Sequence, residues 1–124
     1  MIKLRRQQRA AFAEAALERF ERHMRSHVAH FFPKQHQALG QDEVGRLIQL
    51  GIRHAHKHGF TSERHICKFI DLIFIFGCDF DTSTPWARSI LQSPIARDPS
   101  SRMRMLFQAG IEHESLVNIK GAEE

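Results

Sequence analysis

The segment from Ile66 to Phe76 constrains the fold of this chain more than any other. Nine of its eleven side chains are apolar, and only Lys68 and Asp71 interrupt them. A helix that is apolar around its whole circumference has to be enclosed by the rest of a protein. The segment is too short to cross a membrane, which takes about 20 apolar residues. The sequence therefore predicts a buried central helix, with no membrane span.

A strand over Ile70 to Phe76 is the alternative, because short apolar runs rich in Ile and Phe occur in strands as well as in helices. No second segment alternates apolar and polar residues with the period of a strand. An isolated strand would leave its backbone N–H and C=O groups unpaired. The helical interpretation is therefore favoured.

The size and composition indicate a single globular domain. The chain has 124 residues, 42% of them hydrophobic and 26% charged, which is enough to bury a core without a metal or a disulfide framework. The N-terminus lacks the apolar stretch of a signal peptide, and two cysteines do not make a disulfide scaffold. We expect one domain over residues 1–115, a flexible acidic tail over residues 116–124, and a cytoplasmic location.

Apolar residues at steps of three and four predict two long helices before the central one. The first runs from about residue 5 to Phe32, because Pro33 disfavours helical geometry in the residue before it. A polar connection ends at Gly40. The second helix then begins near the capping residue Asp42 and stops at Gly59.

Cap residues define the later helices. Thr61 or Ser62 caps the third helix. Thr84 and Asp98 each precede a proline, so each is expected to open a further helix, and Gly110 is expected to end the last one. The predicted fold is an all-α, single-domain orthogonal bundle of about five helices with a central apolar third helix.

Positive charge is concentrated at the start of the chain. The net charge is +4, and most of the excess lies within residues 1–34, while residues 112–124 are acidic. A basic end can bind nucleic acid, phospholipid or an acidic protein, but no aromatic side chains interleave with the basic residues to stack on bases. A solvated helix face is the simpler interpretation, and we expect no nucleic-acid partner.

The nine histidines raise the question of a metal site. His23 and His27 are four residues apart, as are His54 and His58, so each pair can face one ion on a helix. A third ligand at a fixed spacing is missing for both pairs. We therefore expect no cofactor, and a metal-dependent enzyme using the histidine pairs is an alternative.

Cysteine catalysis is not expected. Cys67 lies inside the third helix, as a small core hydrophobe would, and His65 points to another face. Cys78 follows a helix end, where the negative end of the helix dipole disfavours a thiolate.

Asp71 stands alone among apolar neighbours, and a buried carboxylate has to be paired. Arg46, Arg53 and Arg64 are the candidate partners. We select Arg64 and expect a structural ion pair with Asp71.

Surplus aromatic and charged residues lie at helix ends and in the loop after Gly77. Exposed aromatic residues dominate the binding energy of protein interfaces, and nearby charges set the register of the complex. The loop lacks the glycine and the distal glutamate of a calcium-binding EF-hand. The residues that we expect to bind a protein partner are Phe60, Asp79, Phe80, Asp81, Trp86 and Arg88.

A pattern of core and turn residues extends over about residues 28–107. It consists of Gly51, Ile52, the run 59–64, Cys67, the run 69–72, Phe74, Phe76, Gly77, the run 79–81 and the run 85–87. This pattern resembles that of small helical bacterial proteins encoded among type VI secretion spike, PAAR and effector-chaperone genes. The chain departs from the pattern in having Lys68-Phe69 in place of Arg-Tyr.

The resemblance implies a non-enzymatic protein-binding role. It implies an adaptor or co-chaperone that holds a secreted effector, or the chaperone of that effector, before loading on the secretion spike. An immunity protein that neutralises a cognate toxin is the alternative within the same setting.

Overall fold

The chain folds into helices connected by short turns. The computed structural model describes residues 2–94 and 98–123, with side chains over residues 13–94 and 98–114. Within these residues there is no strand, and no helix is both long and apolar enough to cross a membrane. The all-α prediction is confirmed, and the strand alternative is wrong. The helices are α1 Ile2–Phe31, α2 Pro33–Lys57, α3 Glu63–Phe76, α4 Phe80–Ser83, α5 Pro85–Gln92 and α6 Pro99–Glu123.

The residues group into two compact units, Met1–Gln49 and Leu50–Glu124. The boundary falls inside α2, so the first unit holds α1 with the start of α2, and the second holds the end of α2 with the later helices. The prediction of a single domain over residues 1–115 stays a prediction.

In the first unit, α1 buries one stripe of side chains at four-residue spacing, as the sequence predicted. Arg25 Nη1 donates a hydrogen bond to the backbone oxygen of Gln41 at 3.0 Å. The residues expected to form a connection before Gly40 are helical, and α2 is interrupted at Gly40, where φ is 83°. A positive φ is easily adopted only by glycine. The buried α1 residues are Phe20, Met24 and Val28.

Both ends of α3 lie where the sequence predicted them. The Ser62 hydroxyl accepts a hydrogen bond from the backbone N–H of His65 at 3.2 Å, which selects Ser62 over Thr61 as the cap. The helix ends before Gly77, whose φ of 114° suits glycine. At the other end of the second unit, Asp98 Oδ2 accepts from the Ser101 N–H at 2.9 Å and caps α6.

The burial of α3 is confirmed for most of its circumference, while Cys67, Asp71 and Ile75 form a half-buried stripe. No side chain between His65 and Gly77 is exposed, and α3 packs against both α4 and α6. Its fully or nearly fully buried residues are Ile66, Phe69, Ile70, Leu72, Ile73 and Phe74.

Two glycines allow other helices to lie directly against α3. A β-carbon at Gly51 of α2 would lie 2.6 Å from Ile70 Cγ1, and one at Gly110 of α6 would lie 2.9 Å from Leu72 Cδ2. The prediction that Gly110 ends its helix is wrong, because this glycine makes room for α3 and α6 continues past it. The backbone is helical as far as Glu123, and the flexibility of residues 116–124 stays a prediction. Residue 124 lies outside the described residues.

Substitution of Gly51 tests this close approach. Gly51→Ala gains up to about 1 kcal/mol of helix propensity but overpacks Ile70, which costs about 1–3 kcal/mol. We expect a net loss of about 1 kcal/mol in the free energy of unfolding, measured in urea. Gly45→Ala is the matched control in the same helix, because there the new methyl group meets only the end of the flexible Arg25 side chain, which can move aside at the cost of one exposed hydrogen bond to Gln41. Equal effects of the two substitutions would contradict this account.

Candidate functional site

Two of the predicted partner-binding aromatics are core residues. Phe60 and Phe80 have no exposed surface, and both rings contact Phe69 of α3, with centroid separations of 6.0 Å and 5.0 Å. The expectation that they present their rings to a partner is therefore wrong. Phe80 opens the short helix α4 in a stretch predicted to be a loop, and α4 turns this ring inward.

Asp81 is also buried, with 4% of its surface exposed. Its Oδ2 lies 2.9 Å from His58 Nε2 and 3.4 Å from His54 Nδ1. We call these three residues the Asp81 cluster. Asp81 does not belong to an acidic surface that a partner could contact, because a buried carboxylate needs an internal partner and His58 supplies it.

The Asp81 cluster connects several helices of the second unit. His54 lies in the last turn of α2 and His58 just beyond it, while Asp81 lies in α4. Arg102 of α6 donates from Nη1 to the backbone oxygen of His58 at 3.2 Å. A single buried carboxylate therefore lies at the point where α2, α4 and α6 are linked by polar contacts.

The Asp81 cluster contains side chains of the types that bind metal ions. Imidazole nitrogen and carboxylate oxygen are both ligands of Zn²⁺. His54 Nδ1 and Asp81 Oδ1 are buried without a hydrogen-bond partner, but the cluster is not among the groups of three or more described side chains whose ligand atoms all lie within 4.8 Å of one another. The pairing with His58 suffices for a structural role, and metal binding by the histidine pairs stays an alternative.

The remaining predicted partner-binding residues are Asp79, Trp86 and Arg88. Trp86 is half-buried and packs edge-to-face on Phe76, with ring centroids 5.2 Å apart. The exposed His113 of α6 stacks on its indole at 5.0 Å with an interplanar angle of 15°. Asp79 and Arg88 are exposed. We call Asp79, Trp86, Arg88 and His113 the Trp86 surface.

His113 was not selected from the sequence. It follows Leu106 and Gly110 at steps of four and three, which places it at the solvent-exposed end of the face of α6 that these two residues share. This spacing did not select His113, because α6 was predicted to end at Gly110.

The pairing of Asp71 with Arg64 stays a prediction. Asp71 is half-buried in α3, and Arg64 is exposed about two turns earlier, roughly 10 Å along the helix axis.

The other histidine pair lies on α1, in the first unit. The rings of His23 and His27 are 6.5 Å apart, and His27 contacts Phe31 at 4.7 Å. Phe31 is 62% exposed, so these rings form a surface row of aromatic groups along the end of α1.

The thiol of Cys67 is electrostatically unsuited to act as a nucleophile. Burial, with Asp71 nearby and partly offset by Lys68, raises the pKa of Cys67 to about 11. The thiolate is the reactive form of cysteine. Cys78, in contrast, is exposed.

Comparison of the chain with protein-family models, with curated proteins and with solved structures gives no match. The fold and the site define an all-α protein with a buried acid–histidine cluster and an indole at its surface.

The rate of alkylation distinguishes the two cysteines. At pH 8 a thiol with a pKa of about 11 is ionised in roughly one molecule per thousand, so we expect iodoacetamide to modify Cys78 first and Cys67 only slowly. Mass spectrometry of the Cys78→Ser variant measures the modification of Cys67 alone. The rate of this modification should rise with pH up to about 11. Rapid modification of Cys67 in the folded protein at pH 8 is the result that would contradict this expectation.

Removal of the imidazole from His58 tests the Asp81 cluster. His58→Ala leaves a buried carboxylate without its closest partner, and we expect a loss of about 2–4 kcal/mol in the free energy of unfolding. His56→Ala is the matched control, because His56 is exposed in the last turn of α2, two residues before His58, and should change stability by less than about 0.5 kcal/mol. Adding Asp81→Asn to His58→Ala should restore part of the loss, and a purely additive double variant would argue against the pair.

Proposed function

We propose that this chain is a non-enzymatic protein-binding adaptor or co-chaperone for an effector of a type VI secretion system. The observation that carries the proposal is the position of Trp86. Its indole lies at the protein surface where α5 and α6 pack together, with one side on Phe76 and the other under His113. A large ring that is held between fixed neighbours and still reaches the surface is suited to bind another protein.

The energetic reason lies in the rigidity of the ring. Tryptophan is enriched among the residues that contribute most to protein interfaces, because it offers a large contact area with little conformational entropy to lose. Packing on Phe76 and Gly110 already restrains Trp86. A partner that replaces or covers His113 would bury the remaining indole surface.

Two exposed charged residues lie within seven residues of Trp86 along the chain. Asp79 and Arg88 are exposed and carry opposite charges. Arg88 lies two residues after Trp86, so it projects to a different side of α5. Exposed charges at the rim of an interface mainly set association rate and register, so a partner would contact the indole centrally and these charges at its edge.

The residues that carry the resemblance to type VI secretion accessory proteins support a scaffold role. Phe60, Phe69 and Phe80 form connected core contacts, Gly51 lies against α3, and Asp81 is paired inside the protein. A pattern of this kind maintains a fold and does not assemble a reaction centre. The surface presented by that fold is then the part available for function.

Capture of proteins encoded by neighbouring genes tests the proposal. Tagged protein should retain an effector or its chaperone through washing, and Arg88→Glu should weaken the complex about tenfold or more by reversing a rim charge. Arg53→Glu is the matched control, because Arg53 is exposed on α2, outside the Trp86 surface. The proposal is wrong if no neighbouring gene product is retained, or if both reversals weaken binding equally.

The activity of a captured toxin distinguishes the two roles in this setting. A toxin that remains active in the complex indicates loading, whereas one that loses activity indicates an immunity protein.

A metal-dependent enzyme is the second candidate, and the two unsatisfied atoms of the Asp81 cluster favour it. Elemental analysis of the purified protein tests it directly. Stoichiometric zinc or iron that is lost in His54→Ala and His58→Ala, but kept in His56→Ala, would support the enzyme. Metal-free protein that is unchanged by added Zn²⁺ would exclude this candidate.

A further inference from the structure

A cavity of about 230 Å³ opens between the N-terminal ends of α3 and α6. α3 contributes side chains from its first two turns, and so does α6. All of these side chains belong to the second unit. The lining residues are Arg64, His65, Lys68, Ser100, Met103 and Arg104.

The cavity is positively charged. Arg64, Lys68 and Arg104 carry three positive charges, and no lining residue is acidic. Among the described side chains, no carboxylate forms an ion pair with any of these three cations. Lys68 Nζ instead lies 5.5 Å from the centroid of the Phe107 ring. Three unpaired cations around one cavity repel each other, and an anion between them removes that repulsion.

The surrounding backbone adds to the positive potential. The N-terminal end of a helix carries a partial positive charge, and two helices begin beside this cavity. The N–H groups of His65 and Ser101 are already occupied by the Ser62 and Asp98 caps. An anion would therefore be held by side chains, with the helix ends contributing only their field.

Asp98 is an acidic group whose carboxylate feels the charge of Arg104. Its pKa is lowered chiefly by the hydrogen bond from the Ser101 N–H, with a smaller contribution from the charge of Arg104. Its carboxylate is thus engaged at the α6 cap, and it offsets only part of the charge of the cavity.

We propose that this cavity binds a phosphate-type oxyanion, either inorganic phosphate or the phosphate group of a small monoester. Two guanidinium groups can each donate two parallel hydrogen bonds to phosphate oxygens, and Lys68 supplies a point charge. The Ser100 hydroxyl is a further donor. The buried Met103 gives one apolar wall, which suits the carbon atoms attached to a monoester.

The size of the cavity limits the ligand. Its volume of about 230 Å³ is below the roughly 300–1,000 Å³ of sites that take drug-sized molecules. A phosphate group with a few carbon atoms fits this volume, whereas a whole nucleotide does not.

Binding here is independent of the Trp86 surface. His113 lies nine residues beyond Arg104 on α6, about 14 Å along the helix axis. A failure of partner capture therefore does not contradict the anion site. A failure of anion binding likewise does not contradict the adaptor proposal.

Calorimetric titration of the full chain at constant ionic strength tests the site with three probes: inorganic phosphate, glycerol 3-phosphate and acetate. We expect saturable binding of at least one phosphate probe and no saturable binding of acetate. Tighter binding of glycerol 3-phosphate would identify a monoester as the ligand, and equal or weaker binding would identify the free ion. Absence of saturable phosphate binding, or acetate binding as tight as phosphate, would overturn the proposal.

Charge-removing variants locate the bound anion. Lys68→Gln and Arg104→Gln should each weaken phosphate binding by roughly tenfold or more, the effect of losing one charge-assisted contact. Arg64→Gln, at an exposed position, provides a third variant that leaves the core untouched, and circular dichroism verifies folding. Arg53→Gln removes the same charge from α2 outside the cavity and should leave the affinity unchanged. An equal loss in Arg53→Gln would show unspecific charge attraction and overturn the site.

Discussion

The second unit of this protein depends on the close packing of two helices against α3. Gly51 and Gly110 leave no space for a β-carbon beside Ile70 and Leu72, so α2 and α6 lie directly on the central helix. The close approach of α2 and α6 to α3 fixes the positions of both helices in this unit. Both helices contribute to the polar contacts around Asp81. A change in either crossing would displace the imidazoles, the carboxylate and the surface indole together.

Local signals in the sequence were sufficient for the helices whose ends are fixed by neighbouring residues. Ser62 and Asp98 cap their helices through hydrogen bonds three residues away, and Gly77 stops α3 through its own backbone geometry. The apolar circumference of α3 likewise predicted its enclosure. In each case the physical cause lies within a few residues of the observed feature.

The wrong predictions concern residues whose environment is determined by contacts with residues far away in the sequence. Gly110 has the composition of a helix end, yet the approach of α3 makes it a packing position. Phe80 and Asp81 follow a glycine in a polar stretch that is typical of a loop. They become buried because Phe69 and His58, from two other elements, are there to receive them. No spacing along the chain indicates that Asp81 meets His58, which lies 23 positions earlier.

Trp86 is the single tryptophan of the chain, and its indole stacks on an imidazole from another helix. All of the tryptophan emission of the protein therefore originates at one contact between α5 and α6. Fluorescence needs no label here to report whether these two helices stay together, since separation would expose the ring to water and remove an aromatic neighbour at the same moment. The intrinsic fluorescence of Trp86 therefore reports on the part of the surface that is most suited to bind another protein.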